Sequence, residues 1–334
     1  MGTLEVAQQR SIRLASHHAV RYAEETLMRI TAVLILSLIA LQMAAQSPAG
    51  IPGAVAPGVQ PELVQEGFVF TEGPVGAADG GLFFSDIRAK KVYRLDPAGK
   101  ITSARENTSG ANGLALNSGE LYAAEGAGKL ISRGNHNGRA ATVLDSDGAQ
   151  PLGAPNDLIF DARGGFYFTD PGAAPMLPKI PGYHGKVYYV NTSSARPPIV
   201  IDDQITRPNG LTLTLDYKTL LVDDTLGDTI WAYDVQPDGS VKNKRAFAKI
   251  PQLTDGEGLA DGMCIDRDGR VYVTTGAGIQ VFDKKGKVLG TIKTPRQPAN
   301  CAFSGPDKRT LYITAREGLY RLKMLSPGPA RLGK

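Results

Sequence analysis

Six copies of one short motif run through this chain, and they constrain its fold more than any other feature. Glu72-Gly73-Pro74-Val75, Asn112-Gly113-Leu114-Ala115, Asn156-Asp157-Leu158-Ile159, Asn209-Gly210-Leu211-Thr212, Asp261-Gly262-Met263-Cys264 and Asn300-Cys301-Ala302-Phe303 begin 40, 44, 53, 52 and 39 residues apart. A repeat of about 40–50 residues is the size of a four-stranded propeller blade. Each copy continues into a polar turn such as Ala78-Asp79-Gly80 or Arg267-Asp268-Gly269, then a strand such as Leu82-Phe83-Phe84, Phe166-Tyr167-Phe168 or Val271-Tyr272-Val273. A third strand follows, for instance Val92-Tyr93-Arg94-Leu95 or Ile230-Trp231-Ala232-Tyr233. Short β-branched and aromatic runs between turn residues are strands. The expected fold is all-β, a six-bladed β-propeller with a central metal site.

Little chain remains after the third strand of the last repeat. The outer strand of that blade is therefore expected from the front of the domain, at Leu63-Val64-Gln65. Closing the ring in this way removes exposed sheet edges.

Residues 62–325 are assigned to the propeller and 326–334 to a C-terminal tail. The Pro-, Gly- and Ala-rich stretch 47–61 is expected to be a linker. Residues 1–46 read as an extension plus a secretory signal: Arg29, the apolar run Ile30–Ala40 and the small-residue exit Ala44-Ala45. Met28 is the expected true start. The predicted location is periplasmic or secreted, with no stable membrane association after the signal is cut.

The formal charge of +4 over 334 residues forms no basic stripe, so no nucleic-acid partner is expected. Cys264 and Cys301 both lie in apolar runs, and sequence alone does not decide whether they are bonded. It also leaves the oligomeric state open.

The first residues of the six motifs are Glu72, Asn112, Asn156, Asn209, Asp261 and Asn300, all carboxylates or carboxamides. If each opens the innermost strand of its blade, all six converge on one end of the channel. Converging oxygen donors suit a hard divalent cation. Asn and Asp also cap tight turns, but Glu72 is not a usual turn residue. The second strands return to the same end, where they carry Asp86, Glu125, Asp170 and Asp224. These acids are candidates to support the site or to carry protons. His184 could reach the mouth, whereas His136 sits in a turn between outer strands. Neither has a partner at zinc-site spacing, and no Gly-x-Ser-x-Gly elbow is present.

These residues resemble the SMP-30/gluconolactonase/luciferin-regenerating-enzyme-like propellers, bacterial gluconolactonases especially. The resemblance runs from about Glu62 to Lys323. It rests on Glu72-Gly73-Pro74, Pro155-Asn156-Asp157, Phe168-Thr169-Asp170-Pro171, Arg207-Pro208-Asn209-Gly210-Leu211 and Asp261-Gly262-Met263-Cys264-Ile265-Asp266. It implies that Glu72, Asn156, Asn209 and Asp261 hold one divalent cation, calcium first, with magnesium, manganese or zinc as alternatives. Asn112 and Asn300 then become pocket or supporting residues. Two departures bear on the substrate. Ala154 stands where animal members carry a substrate-contacting Arg, and Gly172-Ala173-Ala174-Pro175 lacks the aromatic often seen in bacterial members.

The expected activity is metal-dependent opening of a small lactone, a gluconolactone-like sugar lactone by default. Asp261 is the expected general base or water-positioning group, with Asp170 and Asp224 sharing proton transfer. A phosphotriesterase acting at the same site and a non-catalytic ligand-binding propeller are the alternatives.

Overall fold

The repeats fold as their spacing predicts. The structure is a computed structural model and describes residues 49–135, 140–174, 180–250 and 259–331. The expected signal, the Met28 start and His136 lie outside the described residues. Strand β1 spans Glu62–Glu66. Blade 1 comprises β2 (Thr71–Gly76), β3 (Leu82–Asp86), β4 (Lys91–Leu95) and β5 (Ile101–Arg105). Blade 2 comprises β6 (Ala111–Asn117), β7 (Glu120–Glu125), β8 (Leu130–Gly134) and β9 (Ala141–Leu144). In blade 3 the strands are β10 (Leu158–Phe160), β11 (Phe166–Asp170), β12 (Lys186–Val190) and β13 (Ile199–Asp202). Those of blade 4 are β14 (Pro208–Leu213), β15 (Thr219–Asp224), β16 (Thr229–Val235) and β17 (Val241–Lys249). Blade 5 follows with β18 (Met263–Ile265), β19 (Val271–Thr275), β20 (Gly278–Phe282) and β21 (Val288–Ile292). Blade 6 takes β22 (Asn300–Ser304), β23 (Thr310–Ala315) and β24 (Gly318–Lys323) from the end of the chain and β1 from its front. Leu63 pairs with Tyr320 across that closing seam. No helix occurs among the described residues.

Alternation along the second strands explains why the blades assemble into a ring. In β3, Leu82 and Phe84 pack toward blade 6 and Phe83 packs toward blade 2. In β11, Phe166 and Phe168 face blade 2 and Tyr167 faces blade 4. Every strand pleat thus feeds two different blade-to-blade interfaces. The core is accordingly six separate apolar seams, one at each interface. Full burial of each large side chain there contributes roughly 1.5–3 kcal/mol.

One boundary expectation needs correction. Residues 50–59 are no free linker: Ile51, Ala54 and Val55 are buried against Tyr272, Ile292, Phe303 and Met324 in the seam between blades 5 and 6. A tight turn holds them, with Ile51 N–H donating to Val55 O at 2.9 Å and Leu325 N–H to Ala54 O at 2.8 Å. The tail is packed as well. Arg267 N–H donates to Pro327 O at 2.8 Å, Gly328 N–H donates to Lys308 O at 2.8 Å, and Arg331 Nη1 donates to Thr214 O at 3.1 Å. These partners belong to the hairpin turns of blades 5, 6 and 4, at the end of the channel opposite the motif residues. The Pro and Gly content that suggested loose chain instead shapes turns around a few anchoring side chains.

Candidate active site

The innermost strands β2, β6, β10, β14, β18 and β22 neighbour one another around the axis and run in the same direction. Their first residues therefore meet at one rim. Glu72, Asn112, Asn209 and Asn300 lie within their strands, while Asn156 and Asp261 stand just ahead of the short strands β10 and β18. The ladder shifts register between Glu72 and Val75, Ala111 and Leu114, and Pro208 and Leu211. Such bulges re-aim side chains out of the regular pleat.

Cross-blade hydrogen bonds close the rim. Gly113 N–H donates to Asn156 O at 2.8 Å, Gly210 N–H to Asp261 O at 2.9 Å and Gly262 N–H to Ala299 O at 2.8 Å. Hydroxyls on the second strands make the same kind of tie: Ser85 Oγ to Asn112 O at 2.7 Å, Thr169 Oγ1 to Asn209 O at 2.6 Å and Thr274 Oγ1 to Ala299 O at 2.7 Å. The motif glycines follow from this closeness. A Cβ on Gly262 would fall 2.0 Å from the Asn300 side chain, and one on Gly210 would fall 2.2 Å from Asp261 O.

At the rim, Glu72 is buried and Asp261 keeps some exposure. Burial of the Asp261 carboxyl, followed by the nearby Glu72 charge, pushes it well above the usual carboxylate range; a hydrogen bond from the Asn209 side chain opposes the shift. Asn209 also donates from Nδ2 to Thr225 Oγ1 at 3.0 Å. The buried Asn112 Oδ1 has no hydrogen-bond partner. Two neighbouring carboxylates and an unpartnered amide oxygen are hard oxygen donors of the kind a divalent cation takes, and its charge would offset their repulsion. Among the described residues no group of three His, Cys, Asp or Glu gathers as a metal cluster. The fit therefore rests on mixed carboxylate and carboxamide oxygens.

The acids at the second-strand ends have a different task. Asp170 accepts N–H bonds from Gly153 and Ala154 at 2.7 Å each and from Gly172 at 2.9 Å. Asp224 accepts from Thr206 at 3.3 Å, Arg207 at 2.9 Å and Leu226 at 3.2 Å. Asp86 binds the amides of Val69, Phe70 and Ala89 in the same way. Glu125 accepts from Ser109 N–H at 2.6 Å and Ser132 Oγ at 2.5 Å. Each acid fastens the turn that enters its blade, and bonds of this charged kind contribute roughly 1.5–3 kcal/mol. Asp170 and Asp224, expected to share proton transfer, and Glu125, expected to support the site, are held at the entering turns by these bonds. Asn300 is a wall residue, its Oδ1 taken by Cys301 N–H at 2.9 Å. His184 is exposed on the loop between β11 and β12.

Four residues at the rim were given no role by the sequence reading. Arg207 and Arg316 both act electrostatically on Asp261. Arg207 Nη1 donates to Ala174 O at 3.1 Å, and Arg316 stacks on Phe70 with its guanidinium 5.1 Å from the ring centroid. Tyr183 donates its hydroxyl to Pro171 O at 3.1 Å and so brings an aromatic to the loop that lacked one. Asp223 is fully buried; its Oδ1 accepts from Gly210 N–H at 3.2 Å and its Oδ2 has no partner. The signal for Asp223 was its position, one residue before the strand-end acid, where Ser85, Thr169 and Thr274 carry hydroxyls. Surface grooves of about 510 and 410 Å³ lie along the outer strands, between blades 2 and 3 and between blades 1 and 2, and contain none of the motif residues.

Comparison with known proteins agrees with this fold. Residues 70–317 match the SMP-30/Gluconolactonase/LRE-like region. A gluconolactonase of Zymomonas mobilis is 29% identical over 290 residues, covering 78% of this chain and 80% of the relative. Regucalcin of Sus scrofa is 30% identical over 256 residues, covering 74% and 84%. The solved structure of a Xanthomonas campestris gluconolactonase, described as important in glucose secondary metabolic pathways, superposes with a TM-score of 0.71 at 29% identity, covering 83% of this chain and 91% of that one.

Proposed function

The chain belongs to the SMP-30/gluconolactonase/LRE-like family, and from that membership and the rim geometry we propose that it is a divalent-metal-dependent lactonase acting on a small sugar-type lactone. The observation that carries the proposal is the Glu72 charge acting on the Asp261 carboxyl at a rim where the buried Asn112 Oδ1 has no hydrogen-bond partner. Glu72, Asn156, Asn209 and Asp261 would hold the cation, and because every donor is a hard oxygen a hard ion such as calcium is favoured over a softer one. When bound, such an ion supplies a Lewis acid for the lactone carbonyl and for the charge that grows on its oxygen.

The chain's own groups do the rest. Asp261 takes a proton from the water that attacks the carbonyl and returns it to the ring oxygen as the C–O bond breaks. Lactone and water thereby give one hydroxy acid. Arg207 and Arg316 flank this position and orient the substrate, in place of the guanidinium missing at Ala154. Asn112 offers its open Oδ1 to substrate hydroxyls or to the cation, and Asn300 shapes the wall.

Turnover by purified protein tests the reading. Hydrolysis of gluconolactone and related lactones, without comparable hydrolysis of a phosphotriester, is the expected result. Phosphotriester turnover exceeding lactone turnover would shift the assignment to phosphotriesterase chemistry. Binding of lactones without any hydrolysis would make the protein a ligand-binding propeller.

A further inference from the structure

The sulfur atoms of Cys264 and Cys301 stand 3.1 Å apart. Both residues are fully buried, Cys264 on the innermost strand of blade 5 and Cys301 on that of blade 6. They are the only two cysteines in the sequence. We propose that Cys264 and Cys301 close an interblade disulfide when the protein folds under oxidising conditions, joining the strand that follows Asp261 to the strand that opens with Asn300.

The seam is already in register for this bond. Gly262 N–H and Thr274 Oγ1 both reach Ala299 O across the same two blades, so the strands are fixed on the rim side of the sulfurs. On the other flank, Tyr272 and Phe303 meet edge to face with ring centroids 5.4 Å apart. With the strands held, the sulfurs need to close by only about 1 Å to reach bonding distance, which small side-chain rotations supply. The link would tie together the walls beside Asp261 and Asn300. It is independent of what the rim binds or hydrolyses.

The chemistry is thiol–disulfide exchange with a small disulfide oxidant such as oxidised glutathione. One cysteine thiolate attacks the oxidant and forms a mixed disulfide, releasing a thiol. The second cysteine thiolate then attacks the protein-side sulfur and expels the other thiol. Two protein thiols lose two electrons and two protons, and one oxidant disulfide becomes two thiols. Because both cysteines are buried, an oxidant does not reach them in the closed ring. The bond must form while blades 5 and 6 are still docking, so the order of oxidation and folding matters.

The full chain is therefore unfolded with reductant, then refolded either in a reduced/oxidised glutathione mixture or in excess reductant. After oxidative refolding, the protein should run as a single chain on a non-reducing denaturing gel and should show no reactive thiol in denaturant. A non-reducing digest should give one linked peptide containing Cys264 and Cys301, lighter by two hydrogens. Closing a loop of 37 residues should raise Tm by roughly 5–10 °C over the reduced arm. Cys301→Ala should melt at one temperature in both arms, with Cys264→Ala as the substitute if that variant does not fold. Two reactive thiols after oxidative refolding, or cysteines joined only between chains, would overturn the proposal.

Discussion

Gly210 donates its main-chain N–H to the carbonyl oxygen of Asp261 at 2.9 Å, across the boundary between blades 4 and 5. One short bond thus joins the segment carrying Asn209 to the residue at the centre of the proposed chemistry. The position allows no side chain, because a Cβ there would lie 2.2 Å from that same oxygen. Gly210→Ala should destabilise the fold by about 1–3 kcal/mol and weaken cation affinity more than tenfold. Thermal melts and a calcium titration of the variant check both. Unchanged calcium affinity would mean that Asp261 does not depend on this tie.

The Glu72 charge helps to raise the Asp261 carboxyl above its usual range. Glu72→Gln removes one charge with little change in shape. Lactone hydrolysis should fall at least a hundredfold, yet in chelator the variant should melt at or above the wild-type temperature. A lower melting temperature in chelator would show that Glu72 stabilises the fold by itself.

Asp170 is fastened to three backbone amides, and Asp170→Asn would turn an amide group against at least one of those donors. The expected cost is about 1–3 kcal/mol in stability, with kcat of the folded enzyme within a few-fold of wild type and an unshifted pH profile. A hundredfold fall in kcat at normal stability would restore the proton-transfer role expected from sequence.

Asp223 sits where other blades use a hydroxyl tie. Burial, then the charges of Asp261 and Asp224, raise its carboxyl well above the usual range. An acid whose folded pKa is raised loses stability as pH climbs from its unfolded value toward its folded one, and the loss levels off beyond that. Asp223→Thr supplies a hydroxyl and removes the buried acid. It should raise stability at neutral pH by about 1–3 kcal/mol, with an advantage that shrinks as the pH falls to 4. Melting the two proteins across that range checks it, and an advantage independent of pH would contradict the assignment.

The architecture and the rim could be read from sequence because they depend on period and phase. Motif spacing gave the blades, and the short stretch after the last repeat required Leu63-Val64-Gln65 to close the ring. The strand-end acids were legible as acids, but their hydrogen bonds to the entering turns were not. Whether Asp170 points into the channel or back to Gly153 and Ala154 depends on the path of the entering turn, which residue types do not record. Asp223 was hidden by its double-Asp neighbourhood and by being sideways to the expected alternation. The linker reading failed at Ile51, Ala54 and Val55 because composition averages over three apolar side chains that together plug a seam.

The most direct test of the account is reversible metal dependence. The protein would be stripped with chelator, assayed for gluconolactone hydrolysis, and assayed again after calcium, magnesium, manganese or zinc is restored in turn, beside Glu72→Gln. The account predicts that wild-type activity vanishes on stripping and returns with a divalent ion, calcium foremost, while Glu72→Gln stays inactive throughout. Full lactonase activity in the stripped wild-type protein, with no metal left by elemental analysis, would contradict it.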